Sequence, residues 1–163
     1  LNNTNDVFSL NLLMNNFSKN LAALMVATFF YGCLDFGKDI NLVSPYVTSR
    51  ELEIVSKRTG IIFPAGTTGL GYFFQGSGID DAIALKIIIP ENKKKTFLEN
   101  EIFKSGKNTK PSLQIGRSKS WWKLDDIDER IDRTKQLPKG RYMEVSIGEE
   151  DSICIAYISW MST

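Results

Sequence analysis

Residues 70–90 read LGYFFQGSGIDDAIALKIIIP, and two alternating runs in this stretch decide the fold. Leu70, Tyr72 and Phe74 alternate with Gly71, Phe73 and Gln75, the period of two that a pleated strand imposes. Gly76-Ser77-Gly78 breaks the pattern. It resumes as Ile83, Leu85, Ile87 and Ile89 against Ala82, Ala84, Lys86 and Ile88, and Pro90 ends it. Two such runs across a glycine-rich connection predict a β-hairpin with one deeply buried face.

Working outward, the C-terminal third predicts a second hairpin. Met143, Val145 and Ile147 point one way, Gly148 to Asp151 form the turn, and Ser152 to Trp160 make a strongly apolar strand. Between the hairpins, NKKKTFLENEIFKSG reads as one amphipathic helix with Phe97, Leu98, Ile102 and Phe103 on its apolar face and Gly106 at its end. Before the first hairpin, Thr48 and Glu51 form a capping box for a helix that places Leu52 and Val55 on one face and stops at Gly60. GIIFPAGTTG, residues 60–69, reads as a short strand closed by Pro64 and a turn. The expected fold is α+β: a single small domain whose antiparallel sheet, made from two hairpins, is covered by helices on one face.

Composition narrows the chemistry. The chain carries a formal net charge of +1 and no histidine, so neither a global field nor an imidazole is available. With two cysteines and no histidine there is no zinc ligand set, no Ser-His-Asp triad and no Cys-His pair. No cofactor is expected. Cys154, in an apolar strand, reads as a small buried hydrophobe.

Three clusters bear on function. Gly76, Ser77, Gly78, Asp80 and Asp81 could hold a cation or act as acid and base, but adjacent strand residues face opposite ways, and Gly and Asp are what a tight turn requires. The acidic run 124–132, LDDIDERID, lacks the spacing of an EF-hand; Leu124, Ile127 and Ile131 instead fit a surface helix turn with Asp125, Asp126, Asp128, Glu129 and Asp132 in solvent. The third cluster is IGRSKSWWK. Arg117, Lys119, Trp121, Trp122 and Lys123 form a candidate partner-binding patch, since cations interleaved with indoles suit a glycan, a lipid headgroup layer or single-stranded nucleic acid. The competing structural use is one Trp in the core and the other over a sheet edge.

The N-terminal part is of a different kind. MNNFSKNLAALMVATFFYGC, residues 14–33, has an amine and Lys19 in front, an apolar run from Leu21 to Tyr31, then Gly32-Cys33. That is too short for a permanent membrane span. It resembles the signal of bacterial lipoproteins, with Gly32-Cys33 matching the end of the lipobox; Phe30 and Tyr31 are bulkier than that pattern favours. The resemblance covers these residues alone and implies that Cys33 is acylated and becomes the new N-terminus. Leu34 in place of an Asp after the Cys implies outer-membrane rather than inner-membrane sorting.

The expected organisation is a non-native or disordered leader at 1–13, a signal peptide at 14–32, a linker at 33–47 and the α+β domain at 48–163. The functional expectation is an envelope lipoprotein without enzymatic activity. It would be held to the membrane by its lipid and bind a protein or cell-wall component in the manner of an inhibitor or immunity protein, with nucleic acid excluded by compartment. Two alternatives stand beside it. One is an envelope hydrolase using Asp80 or Asp81 with Glu144 or Glu149. The other is a cytoplasmic α+β domain whose N-terminal apolar helix packs on its own core.

Overall fold

Alternation in the two hairpins becomes the centre of one sheet. In a computed structural model, which describes residues 38–76 and 80–162, six strands run in the order β1-β2-β3-β6-β5-β4, every neighbour antiparallel. They are β1 (Ile40–Val43), β2 (Thr68–Gln75), β3 (Ala82–Ile88), β4 (Asp128–Gln136), β5 (Tyr142–Glu150) and β6 (Ile153–Met161). The two predicted hairpins meet where β3 pairs with β6, with Leu85 opposite Ile158 and Ile83 opposite Trp160. The expectations for residues 1–37, Cys33 among them, and for Ser77 and Gly78 lie outside the described residues.

The α+β class holds, with strands dominating. One face of the sheet carries Tyr72, Ile83, Leu85, Ile87, Val145, Ile147, Ala156 and Ile158, all buried, and packs against Val55, Phe97 and Ile102 from the helices. Helix α1 (Ser49–Thr59) starts at the predicted capping box. The Thr48 side chain accepts from the Arg50 N–H, and Glu51 Oε2 accepts from the Thr48 N–H at 2.8 Å. Gly60 closes it in the left-handed conformation at φ 77°.

Several expected elements differ, each for a local reason. The single helix over NKKKTFLENEIFKSG is a 3₁₀ turn (Glu91–Lys93) and two short helices, α2 (Lys94–Leu98) and α3 (Glu101–Ser105). Buried Asn100 interrupts them because its side chain donates to the Phe97 and Ile62 carbonyls and accepts from the Ile62 N–H. That bridge also holds residues 60–67 as an irregular segment in place of the expected short strand. The stretch read as a linker contributes β1, which pairs with β2 from Ile40↔Phe74 to Val43↔Gly71.

The acidic run is not a helix turn followed by solvent. Only Leu124–Asp126 forms a 3₁₀ turn, and Asp128 begins β4. The last hairpin turns on Asp151 and Ser152 alone, both at positive φ (51° and 64°), which lets β5 run on through Glu150. In β2 the register shifts between Gly69 and Gly71, so Leu70 packs on the opposite side from Tyr72.

The second face of the sheet is also covered, which the patterning did not lead us to expect. Residues 107–127 cross it as an irregular strap, and Leu124, Ile127 and Trp122 pack there on Ile155 and Tyr157.

Candidate functional site

What makes the strap a site rather than a loose loop is the polar layer beneath it. Glu144 projects from β5 and is only 2 % exposed. Its carboxylate accepts from the Ser112 N–H at 2.7 Å, the Ser112 hydroxyl at 3.0 Å and the Leu113 N–H at 3.0 Å, so one buried acid seizes the strap's backbone. A second anchor lies on β3 and β6. Lys86 Nζ stands 2.9 Å from Glu150 Oε1, and the Tyr157 hydroxyl donates to Glu150 Oε2 at 2.9 Å while accepting from the Lys123 N–H at 3.2 Å. Burial pushes the Glu150 carboxyl up, but hydrogen bonds from Lys86 and Tyr157 and the nearby positive charges of Lys86 and Lys123 outweigh it. Its pKa therefore lies below the ordinary value. Burial first, then its bond to Glu150, raises the Tyr157 phenol far above its usual range and keeps it a donor.

Arg130 adds a third anchor from β4. It donates to the Leu124 carbonyl at 3.0 Å and to Asp132 at 3.1 Å, and Asp132 in turn accepts from the Ser146 hydroxyl at 2.6 Å. At the start of the strap, Lys107 exchanges both backbone hydrogen bonds with Thr134 on β4. The strap thus gains its fixed shape from side chains of the sheet, having no helix or strand of its own between 108 and 123.

The five residues of the predicted patch all lie on this strap, and the structure divides them. Trp122 meets Tyr157 edge-on at a ring separation of 4.9 Å; it sits over Gly116, where a Cβ would strike both Ala84 and the indole, and whose φ of 83° favours glycine as well. Trp121 turns the other way, toward β1 and β2. Its ring occupies the space above Gly71 that any side chain would need, and its Nε1 donates to Asn41 Oδ1 at 3.2 Å. Lys119 lies over the Phe73 ring, its Nζ 3.9 Å from the centroid. Arg117 and Lys123 are exposed and border a cleft of about 290 Å³ with Trp122, Leu124, Asp125 and Asp126. A larger cleft of about 570 Å³ beyond Lys119 is floored by Phe73, Leu113, Ile115 and Met161 and edged by Asp39 and Asp80.

Three of the four carboxylates proposed for hydrolysis serve separate contacts. Asp81 pairs with Arg58 of α1 at 3.2 Å, Glu149 with Lys94 at 3.1 Å, and both oxygens of Glu144 are taken by the strap. Glu144 and Glu149 reach opposite faces of β5. Asp81 sits beside Ser162 and Glu149 beside Cys154, eight residues apart along β6 and its end. At the rise of a strand that separation is ~25 Å, well beyond the ~5–9.5 Å of a glycosidase pair. Among the described residues no group of three or more His, Cys, Asp or Glu is placed to hold a metal ion, and no helix is long and apolar enough to cross a membrane.

Sequence reasoning found the basic-indole segment but missed the anchors beneath the strap, buried Lys86 and Glu144 and half-buried Glu150. A charged residue in a strand normally signals a face open to water. The usable hint was Lys86, lodged between Leu85 and Ile87 in a run otherwise without charge.

No protein-family model matches the chain, and no curated protein or solved structure matches it either.

Proposed function

We propose that this chain is a bacterial envelope lipoprotein, acylated at Cys33 and sorted to the outer membrane, whose domain is a binding module for a protein or cell-wall component. The observation that carries the binding reading is the strap. An irregular segment held by three sets of part-buried polar contacts presents Arg117 and Lys123 beside the Trp122 ring at the mouth of a cleft. A surface pre-shaped in this way loses little conformational freedom when a ligand binds. The anchor reading is supported by the order of Lys19, the apolar run and Gly32-Cys33.

Two measurements test the two halves separately. Expressed from Met14, the protein should fractionate with membranes, lack residues 14–32 and carry added acyl mass, and Cys33→Ala should abolish all three. The acylated protein should co-sediment with purified peptidoglycan or bind a purified envelope protein, and Arg117→Ala with Lys123→Ala should weaken that binding while leaving the unfolding midpoint unchanged. A soluble, full-length product indifferent to Cys33→Ala refutes the anchor; binding indifferent to the double substitution refutes the site.

A further inference from the structure

Among the described residues, the margin of the sheet formed by β1 is thinly covered. Ile40, Val43 and Tyr46 are 43 %, 44 % and 70 % exposed. Ile40 and Val43 project from opposite faces of the strand, so what they share is the open margin itself. The Ser44 N–H donates to the Leu70 carbonyl, which fixes the ladder: Leu42 and Ile40 also direct their backbone toward β2, while Asn41 and Val43 direct theirs outward. The outward carbonyl of Val43 is taken by the Tyr46 N–H at 2.8 Å. Trp121 stands at the same margin through its bond to Asn41 and its packing over Gly71, the cross-strand partner of Val43. An indole, a phenol and two branched aliphatic side chains around hydrogen-bonding backbone is the composition that suits the boundary between water and lipid.

The length of chain before β1 limits how far this margin can lie from Cys33. Six residues, Leu34 to Asp39, separate Cys33 from Ile40. At no more than ~3.6 Å per residue, Ile40 stays within ~25 Å of Cys33. A tether this short keeps the margin at high effective concentration beside the bilayer, so a weak contact suffices. We infer that in the lipid-anchored protein the β1 margin, with Ile40, Val43, Tyr46 and Trp121, rests on the phospholipid interface. This inference depends on Cys33 being the anchor.

The test uses the processed, acylated chain reconstituted in phosphatidylethanolamine–phosphatidylglycerol vesicles whose acyl chains carry bromine near the glycerol. Bromine quenches an indole it touches. Part of the tryptophan emission should be quenched, and that part should vanish in Trp121→Phe, while Trp122 and Trp160, whose Nε1 atoms are both buried, serve as internal references. Tyr46→Ser, a change at an exposed position that leaves the fold intact, should reduce the quenching of Trp121. Acylated protein that floats with the vesicles but shows no Trp121 quenching overturns the contact and leaves the anchor standing. Protein that carries no acyl chain and does not float overturns both. Concentration-dependent protection of the Asn41 and Val43 amides without quenching would give the margin to a second copy of the chain and also overturn the inference.

Discussion

Replacing Glu144 isolates what holds the strap. In Glu144→Ala the Ser112 and Leu113 N–H groups lose their acceptor together with the Ser112 hydroxyl. Hydrogen bonds to a charged group contribute about 1.5–3 kcal/mol each, and a buried N–H left without a partner costs about 1–3 kcal/mol. The sum is an upper bound, because the strap can lift and let water reach the two amides. We expect a loss of about 3–4 kcal/mol for Glu144→Ala, and about 2 kcal/mol for Glu144→Gln, which keeps one acceptor oxygen but turns an NH₂ toward an N–H. Urea unfolding with an unchanged slope measures the total. Amide hydrogen exchange locates it: Ser112 and Leu113 should exchange faster, while Ile158 in the sheet centre should open only with global unfolding. A loss below about 1 kcal/mol, with Ser112 and Leu113 still protected as in the parent, would refute the assignment of Glu144 as the strap's anchor.

Two further outcomes follow from the buried groups. Glu150 has a lowered pKa in the folded protein, so its contribution to stability is complete above the unfolded value near 4.5 and disappears as pH falls through the lower folded value. Lys86→Met should destabilise at neutral pH by about 2 kcal/mol, through a half-buried carboxylate left with Tyr157 but without its cation. It should also flatten the acid limb of the stability–pH curve, whereas an acid limb identical to the parent's would show that Glu150 does not titrate with unfolding. Burial raises the Cys154 thiol above its ordinary range. In a Cys33→Ala chain, thiol reagents at pH 8 should therefore react at the rate of unfolding rather than of an exposed cysteine; rapid labelling of folded protein would contradict the packing.

What the sequence disclosed follows from where each residue's partners lie. Strands β2, β3, β5 and β6 were legible because one face of each is a run of alternating apolar residues, and α1 because Thr48, Glu51 and Gly60 write its ends locally. Strand β1 has four residues, too few to show a period. Strand β4, DERIDRTKQ, has almost no apolar face, and Ile131 falls at helical distance from Ile127 and Leu124, so the wrong period prevailed. The junction of β3 with β6 joins residues far apart in the sequence, from Ile88 with Ile155 to Ala82 with Met161, and no local pattern encodes it. The patch residues were visible as a cluster, but their separation required knowing that Trp122 lies on Tyr157 while Trp121 lies on Gly71. The same limit hid the strap, whose order comes from Glu144, Glu150 and Arg130, all outside it.

The two margins of the sheet are unequal, and that decides what kind of assembly the domain tolerates. Strand β4 is guarded three times over: Lys107 takes both outward hydrogen-bonding groups of Thr134, a bulge lies between Asp128 and Ile131 with Glu129 at positive φ, and the strand is dense in charge. Among the described residues strand β1 carries a lighter guard, the Tyr46 N–H on the outward Val43 carbonyl. Addition of strands by sheet extension is therefore easier at β1 than at β4. Should two copies meet through β1, each would present a closed margin to the outside, and growth would end at a twofold pair. A fibril needs a template open at both ends, and the guarded β4 margin works against that, so pairing through β1 favours a dimer over a fibre.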